Sequence, residues 1–354
     1  MITVTDFIGH TDNSGKPMGH PVKVTNETVE LIRSVVKTGA AAPVTHMKEI
    51  NAEGCSVFEL KNHICVFSGS KIKNLIEKWK NLHQVFHSPT GTVWFINVDF
   101  SLFLYLYLFK SNKHDVWVTL CYNPLKNLSG WRKTIIEKVL GSTALVIVTN
   151  KNFLKSVPGN KVFVPDYYYK KDFYGGFSSK EKKEQIVCLG TMGRTKKLEE
   201  MAEVLSGREM PLKIIGNFAQ ELERFEEIKK LCKENVSIEN RYVSNTEYYN
   251  IIAESRYVIL PYDMELYDER TSGILLESVF LDSIPVAPKK LLEYNSINGI
   301  GYSSIDEIPE LLNISDEEKE KIIIENNKLK NTVFSQEKIG KILQSFLKEQ
   351  DKGI

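Results

Sequence analysis

Apolar residues in the first half of the chain fall in short blocks at positions 2–8, 56–60, 64–67, 93–97, 116–120, 145–149 and 162–164. Blocks of this length without regular alternation predict buried parallel strands, and the helical stretches between them predict covering helices. One such helix is expected at 28–37. Another, at 71–80, sets Ile72, Leu75, Ile76 and Trp79 on one face and crowds lysines onto the rest. The most apolar segment, 100–109, lies between Asp99 and Lys110. It is about half as long as a membrane-spanning helix and is expected as a buried helix or strand.

The rhythm breaks over 167–183, which is rich in tyrosine, then in glycine and lysine, and reads as an interdomain linker. It resumes with a strand at 186–189, a helix at 198–205, a strand at 212–217 and a charged helix at 220–233. A strand and loop follow at 236–243, then a helix at 247–254 capped by Ser244 and a strand at 257–260. The tail carries helices at 316–329 and 336–349, the last with an apolar stripe of Ile339, Ile342, Leu343 and Phe346. The fold class is therefore α/β with two doubly wound domains, 1–170 and 171–335, and a terminal helix over 336–354.

At 354 residues the chain exceeds one hydrophobic core. Its 46 basic and 45 acidic residues exert no global pull on nucleic acid, so any anion recognition must be local. Five scattered cysteines, Cys55, Cys65, Cys121, Cys188 and Cys232, read as free thiols in a reducing compartment. With no leader-like segment ahead of the first strand, the expected location is the cytoplasm. The basic face of 71–80 is compatible with peripheral contact at anionic head groups.

The chemistry gathers after the strand at 257–260. A polar loop, 263–270, leads to a helix beginning near Thr271, Ser272, Gly273 and Ile274, where Thr271 or Ser272 supplies an N-cap and Gly273 lets a ligand approach. A helix start pointing out of a sheet edge suits a phosphate. Two carboxylates frame it, Glu269 in the loop and Glu277 in the helix. Beside phosphate they make sense as acceptors from hydroxyls of the same ligand, Glu269 from a sugar and Glu277 from a ribose. Gly190, Arg194 and Lys197, after the strand at 186–189, suit a diphosphate. In the first half, Asp99 reads as a helix cap as well as a polar group at a strand end, and Tyr122 and Asn123 follow the strand at 116–120.

The Glu-x7-Glu pair, the preceding Leu260-Pro261 and the following Asp282-Ser283-Ile284-Pro285-Val286-Ala287-Pro288 resemble the donor-site signature of retaining glycosyltransferases, glycosyltransferase family 4 of the GT-B fold. The resemblance covers most of 186–288. It departs in placing Ser272 where the family usually has glycine, with Gly273 one residue later, and in having Cys121 where the family often has histidine. It implies two Rossmann-like domains facing across a cleft, with the terminal helix over 336–354 packing back on the first through its apolar stripe. The second would hold a nucleotide diphosphate-sugar, UDP-sugar favoured, and the first a glycan, lipid-linked or protein acceptor. Transfer would retain configuration, without metal or cofactor. It further implies that Tyr242 and Val243 receive the base, that the glycine-rich loop over 9–20, with Gly15 and His20, lies over the substrates, and that Glu269, Arg194 and Lys197 serve catalysis. Asp99, Tyr122 and Asn123 stand on the acceptor side. The alternatives are a silent nucleotide-sugar-binding partner subunit, or an epimerase or hydrolase of the same architecture.

Overall fold

The computed structural model describes residues 1–11, 15–17, 21–65, 70–88, 91–109, 114–178, 180–218, 221–267 and 270–351. The chain forms two compact units, Met1–Asp166 with Ile339–Ile354, and Tyr167–Lys338.

The described strands of the first unit are β1 (Ile2–Thr5), β2 (His10–Thr11), β3 (Thr38–Pro43), β4 (Ser56–Leu60), β5 (Ile64–Cys65), β6 (Thr92–Phe95), β7 (Asp115–Leu120), β8 (Leu145–Val148) and β9 (Lys161–Phe163). Seven of them make one sheet in the order β4-β3-β1-β6-β7-β8-β9, with every pairing parallel. Strands β2 and β5 pair apart from it. The order runs one way from β1 to β4 and the other way from β6 to β9, which puts a topological switch point between β1 and β6. Val4, Val93, Phe95, Val118 and Val146 are fully buried, as strands covered on both faces require.

Strand β3 is absent from the hydrophobic pattern because its sequence, Thr-Gly-Ala-Ala-Ala-Pro, has no large apolar residue. Its neighbours leave no room for one: a Cβ on Gly39 would stand 3.0 Å from Thr3 Oγ1 and 3.1 Å from the Phe58 ring. The helix expected at 28–37 runs Pro21–Arg33 instead, opened by a proline whose fixed φ suits the first helical position. Strand β1 stops at Thr5, which leaves Asp6 at its carboxyl end. The Phe100–Phe109 segment is a helix that buries Leu102, Phe103 and Leu106 but exposes Tyr107, Leu108 and Phe109. Among the described residues no helix is long and apolar enough to cross a membrane. In the last helix, Gln336–Asp351, Ile339 and Leu343 are buried, and a Cβ on Gly340 would lie 3.7 Å from Leu31.

The second unit comprises β10 (Lys183–Thr191), β11 (Leu212–Asn217), β12 (Val236–Asn240), β13 (Ser255–Ile259), β14 (Ile284–Pro288) and β15 (Ile300–Tyr302). They form a parallel sheet in the order β12-β11-β10-β13-β14-β15, with its switch point between β10 and β13. Ile186, Cys188, Ile214, Tyr257, Ile259 and Val286 belong to its core. The stretch expected as a linker contains the helix Lys171–Ser178 and buries Tyr167, Tyr168 and Tyr174. Aromatic packing accounts for the difference: the Tyr174 ring lies 5.1 Å from Phe280 and 5.9 Å from Tyr249, so the tyrosines that spoil the helical period supply the core of a helix junction.

Candidate functional site

Ligands of open parallel sheets lie outside the carboxyl ends of strands at a switch point. In the second unit two loops meet there. Lys197 N donates to Pro261 O at 2.7 Å, Asp263 N donates to Thr195 O at 2.9 Å, and Lys196 and Tyr262 form an antiparallel bridge. The loop after β10 is thus stitched to the segment after β13. From that segment the Tyr262 and Tyr267 rings stack at 3.8 Å. Tyr262 Oη lies 3.2 Å from Ser272 Oγ, and Tyr267 Oη donates to Thr271 O at 2.8 Å. These contacts fix the start of the helix Gly273–Phe280.

Ser272 is the N-cap, but its side chain makes no capping bond, since its hydroxyl pairs with Tyr262. The amides of Gly273 and Ile274 open the helix without a hydrogen-bond acceptor among the described residues. The face of Gly273 expected to admit a ligand is taken: a Cβ there would stand 2.2 Å from the Tyr167 ring. Glycine is needed at 273 for tyrosine packing, a demand that the sequence pattern did not reveal.

Glu277 is 4% exposed. Its Oε2 accepts from Tyr248 Oη at 2.6 Å and its Oε1 from Tyr249 Oη at 3.3 Å. Burial, and then the adjacent Glu277 charge, push the Tyr248 hydroxyl well above the ordinary tyrosine range and keep it a donor. The carboxylate therefore does receive hydroxyls, but here they belong to the helix Asn245–Glu254. A periodicity reading had no means of pairing Glu277 with Tyr248 across 29 residues.

Among the expected cations, Arg194 is 83% exposed and pairs with Glu221 at 3.4 Å, while Lys197 pairs with Glu200 at 3.5 Å. Arg194 lines a cavity of about 710 Å³ together with Arg224 and the glutamates 199, 221, 223 and 227. With acids outnumbering arginines, that cavity repels phosphate. The buried cation of this loop is the neighbouring Lys196, whose ammonium donates to Leu189 O at 2.7 Å and lies 5.8 Å from the Tyr262 ring. Gly190, one residue before the end of β10, has φ +100°, and its β11 partner Gly216 approaches so closely that a Cβ there would stand 1.9 Å from Gly190 O. Tyr242 is 66% exposed and Val243 half-buried, both just beyond β12. Glu269 and His20 lie outside the described residues.

In the first unit, Asp99 accepts from Ser101 N at 2.9 Å and pairs with Lys78 at 2.5 Å, which makes it the cap of the Phe100–Phe109 helix. Tyr122 Oη donates to Val98 O at 3.2 Å, and Asn123 turns the chain through a 3.1 Å bond from Leu125 N. Gly15 has φ +81° and open space about it. The switch point gathers residues that the sequence reading passed over. Asp6, 1% exposed, accepts from Asn97 Nδ2 at 3.2 Å and Ile8 N at 3.3 Å through Oδ1, whereas its Oδ2 has no hydrogen-bond partner among the described residues. His10 and His46 lie within its field. Burial lowers both imidazoles below the usual histidine range, and Asp6 opposes that shift in each. The available signal was a carboxylate at the carboxyl end of the first strand, which an over-long strand assignment concealed.

No protein-family model matches the sequence, and there is no significant match among curated proteins. Solved structures do match. HepE of Anabaena, in complex with UDP and glucose, superposes with a TM-score of 0.67 at 11% identity over 99% of this chain and 100% of that one. Trehalose 6-phosphate synthase from Burkholderia multivorans does so with 0.69 at 7% identity over 100% and 99%. WaaG, a glycosyltransferase involved in lipopolysaccharide biosynthesis, gives 0.61 at 12% identity over 97% and 99%. The fold is GT-B. These likenesses span both GT-B units, while identities this low carry the architecture and leave the chemistry to the residues.

Proposed function

We propose that the chain transfers a sugar from a nucleoside diphosphate-sugar to an acceptor hydroxyl. The observation that carries this reading is the open helix start at Gly273–Ile274, fixed at the switch point of the second unit with Glu277 about one turn further on. Its amides suit a diphosphate, and Glu277, given up by Tyr248, suits a ribose diol. Arg194, 83% exposed and released from Glu221, would join Lys197 in compensating charge on the departing diphosphate. The complexes of HepE with UDP and glucose, and of the E. coli trehalose-6-phosphate enzyme with UDP-2-fluoro glucose, favour a UDP-sugar. Retention of configuration, metal independence and a glycan, lipid-linked or protein acceptor complete the proposal. On the acceptor side, Asp6, His10 and Asn97 place hydrogen-bonding groups at the first unit's switch point.

A second reading, a nucleotide-sugar-binding subunit without turnover, is favoured by two departures from the resembled family: Cys121 where it often has histidine, and Ser272 where it usually has glycine. Incubation with UDP-, GDP- and ADP-sugars and a panel of glycan and lipid-linked acceptors separates the two. Acceptor-dependent release of nucleotide is the expected result. Binding without release selects the second reading, and release without acceptor selects hydrolysis or epimerisation.

A further inference from the structure

The helix Lys71–Phe86 carries an apolar stripe in which Ile72, Ile76 and Trp79 follow one another at helical spacing. Trp79 is spent on the neighbouring helix: its Nε1 donates to Ser101 O at 3.2 Å, and Lys78 pairs with Asp99. Asp99 is where that neighbour, Phe100–Phe109, begins. The stripe therefore runs on past the end of its partner, and Ile76 and Ile72 are left 49% and 71% exposed. The next helix, Gly130–Gly141, opens beside the same place with Trp131, 60% exposed and 5.5 Å from the Phe100 ring. The Trp79–Ser101, Lys78–Asp99 and Phe100–Trp131 contacts join these three helices near the start of Phe100–Phe109, so the overhanging side chains lie along one rim of the first unit.

Basic residues surround them. With Lys78 paired to Asp99, Lys71, Lys73 and Lys80 stand against Glu77, 4.0 Å from Lys73, and Lys126, Arg132 and Lys133 stand against Glu137, 3.9 Å from Lys133. The Arg132 guanidinium lies 5.3 Å from the Phe100 ring and 5.5 Å from Trp131. Exposed aliphatic and indole side chains inside a cationic border match an anionic bilayer surface, where the apolar tips enter the acyl boundary and the cations meet phosphate. A protein partner recognising this rim would need a matching acidic hollow; a lipid surface needs none.

We propose that this rim seats the chain on anionic lipid. The proposal extends the glycosyl-transfer reading by favouring an acceptor carried in a membrane, yet it stands on different residues, so either can fail alone. The test is co-sedimentation of the full chain with vesicles of phosphatidylcholine alone and of phosphatidylcholine mixed with phosphatidylglycerol. Retention on the mixed vesicles only is expected, falling as salt rises. Because each apolar side chain withdrawn from water is worth about a factor of ten in partition, Ile72→Ser with Ile76→Ser, and separately Trp131→Ser, should each weaken retention by about tenfold or more. Lys71→Glu with Lys73→Glu should abolish the lipid preference. All sites are exposed, so circular dichroism and release of nucleotide with a soluble acceptor should match the unsubstituted chain. Failure to sediment with mixed vesicles, equal retention on both kinds, or retention indifferent to these substitutions overturns the proposal. So does a dimer in sedimentation velocity that the same substitutions dissolve, since the rim would then be an interface between copies. Loss of donor turnover with vesicle binding intact would count against the transfer reading alone.

Discussion

Replacing Tyr248 by phenylalanine removes one hydroxyl and leaves the ring in place, which isolates the 2.6 Å bond to Glu277. Glu277 is 4% exposed, so water cannot readily replace the lost donor. Hydrogen bonds to a buried charged group contribute about 1.5–3 kcal/mol. The other tyrosine bond, from Tyr249 at 3.3 Å, is longer, so Tyr249→Phe should cost under about 1.5 kcal/mol. In a unit of this size each kcal/mol moves the midpoint by about 2–4 °C. Differential scanning calorimetry should therefore show Tyr248→Phe melting roughly 3–12 °C lower, with Tyr249→Phe in between. Donor affinity should move the other way for Tyr248→Phe, because a ribose diol would no longer compete with the phenol for Glu277. An unchanged midpoint, or a larger loss from Tyr249→Phe, would refute the assignment of the shorter bond as the one that holds Glu277.

Three further outcomes follow from the second unit. Gly273→Ala should lower stability by about 1–3 kcal/mol through collision with the Tyr167 ring, and the double variant with Tyr167→Ala should lose that added penalty in a denaturant-unfolding cycle. Burial pushes Lys182 down to about 7 from an ordinary 10.5, with Asp282 opposing and Arg256 and Lys330 adding to the shift. Between those values the unfolded chain binds the extra proton, so stability should rise with pH, by at most about 1.4 kcal/mol per unit, and Lys182→Met should flatten urea-derived stability across that window. Arg224, 12% exposed and joined to Glu199 and to Lys196 O at 2.7 Å, should cost about 2 kcal/mol or more as alanine, whereas Arg194→Ala should leave the melting midpoint within error.

The hydrophobic pattern made the sheets legible where strands carry large side chains: β4, β6, β7, β8, β11 and β13 lie within or beside the expected blocks. It failed at β3, where burial is achieved with alanine, and over 167–183, where tyrosines fill a helix junction without helical spacing. In the candidate site, the helix start at 273 was readable because a cap, a glycine and an apolar run are neighbours in sequence. The partners of its residues were not readable. Tyr167 over Gly273, Tyr248 on Glu277, Lys196 under the β10 loop, and Asp6 with His10 and His46 are pairings that only the folded topology brings together. The Glu269 assignment falls outside the described residues.

The most direct test of the whole account is isothermal titration of UDP, and of UDP-, GDP- and ADP-sugars, into the full chain and its Glu277→Ala variant. Saturable binding of at least one nucleotide to the unsubstituted chain, weakened by about ten- to a hundredfold in the variant, is the result predicted from the loss of one or two hydroxyl bonds to a carboxylate. Absence of heat with every nucleotide, or equal affinity in the two proteins, would contradict a donor site at the head of the Gly273–Phe280 helix.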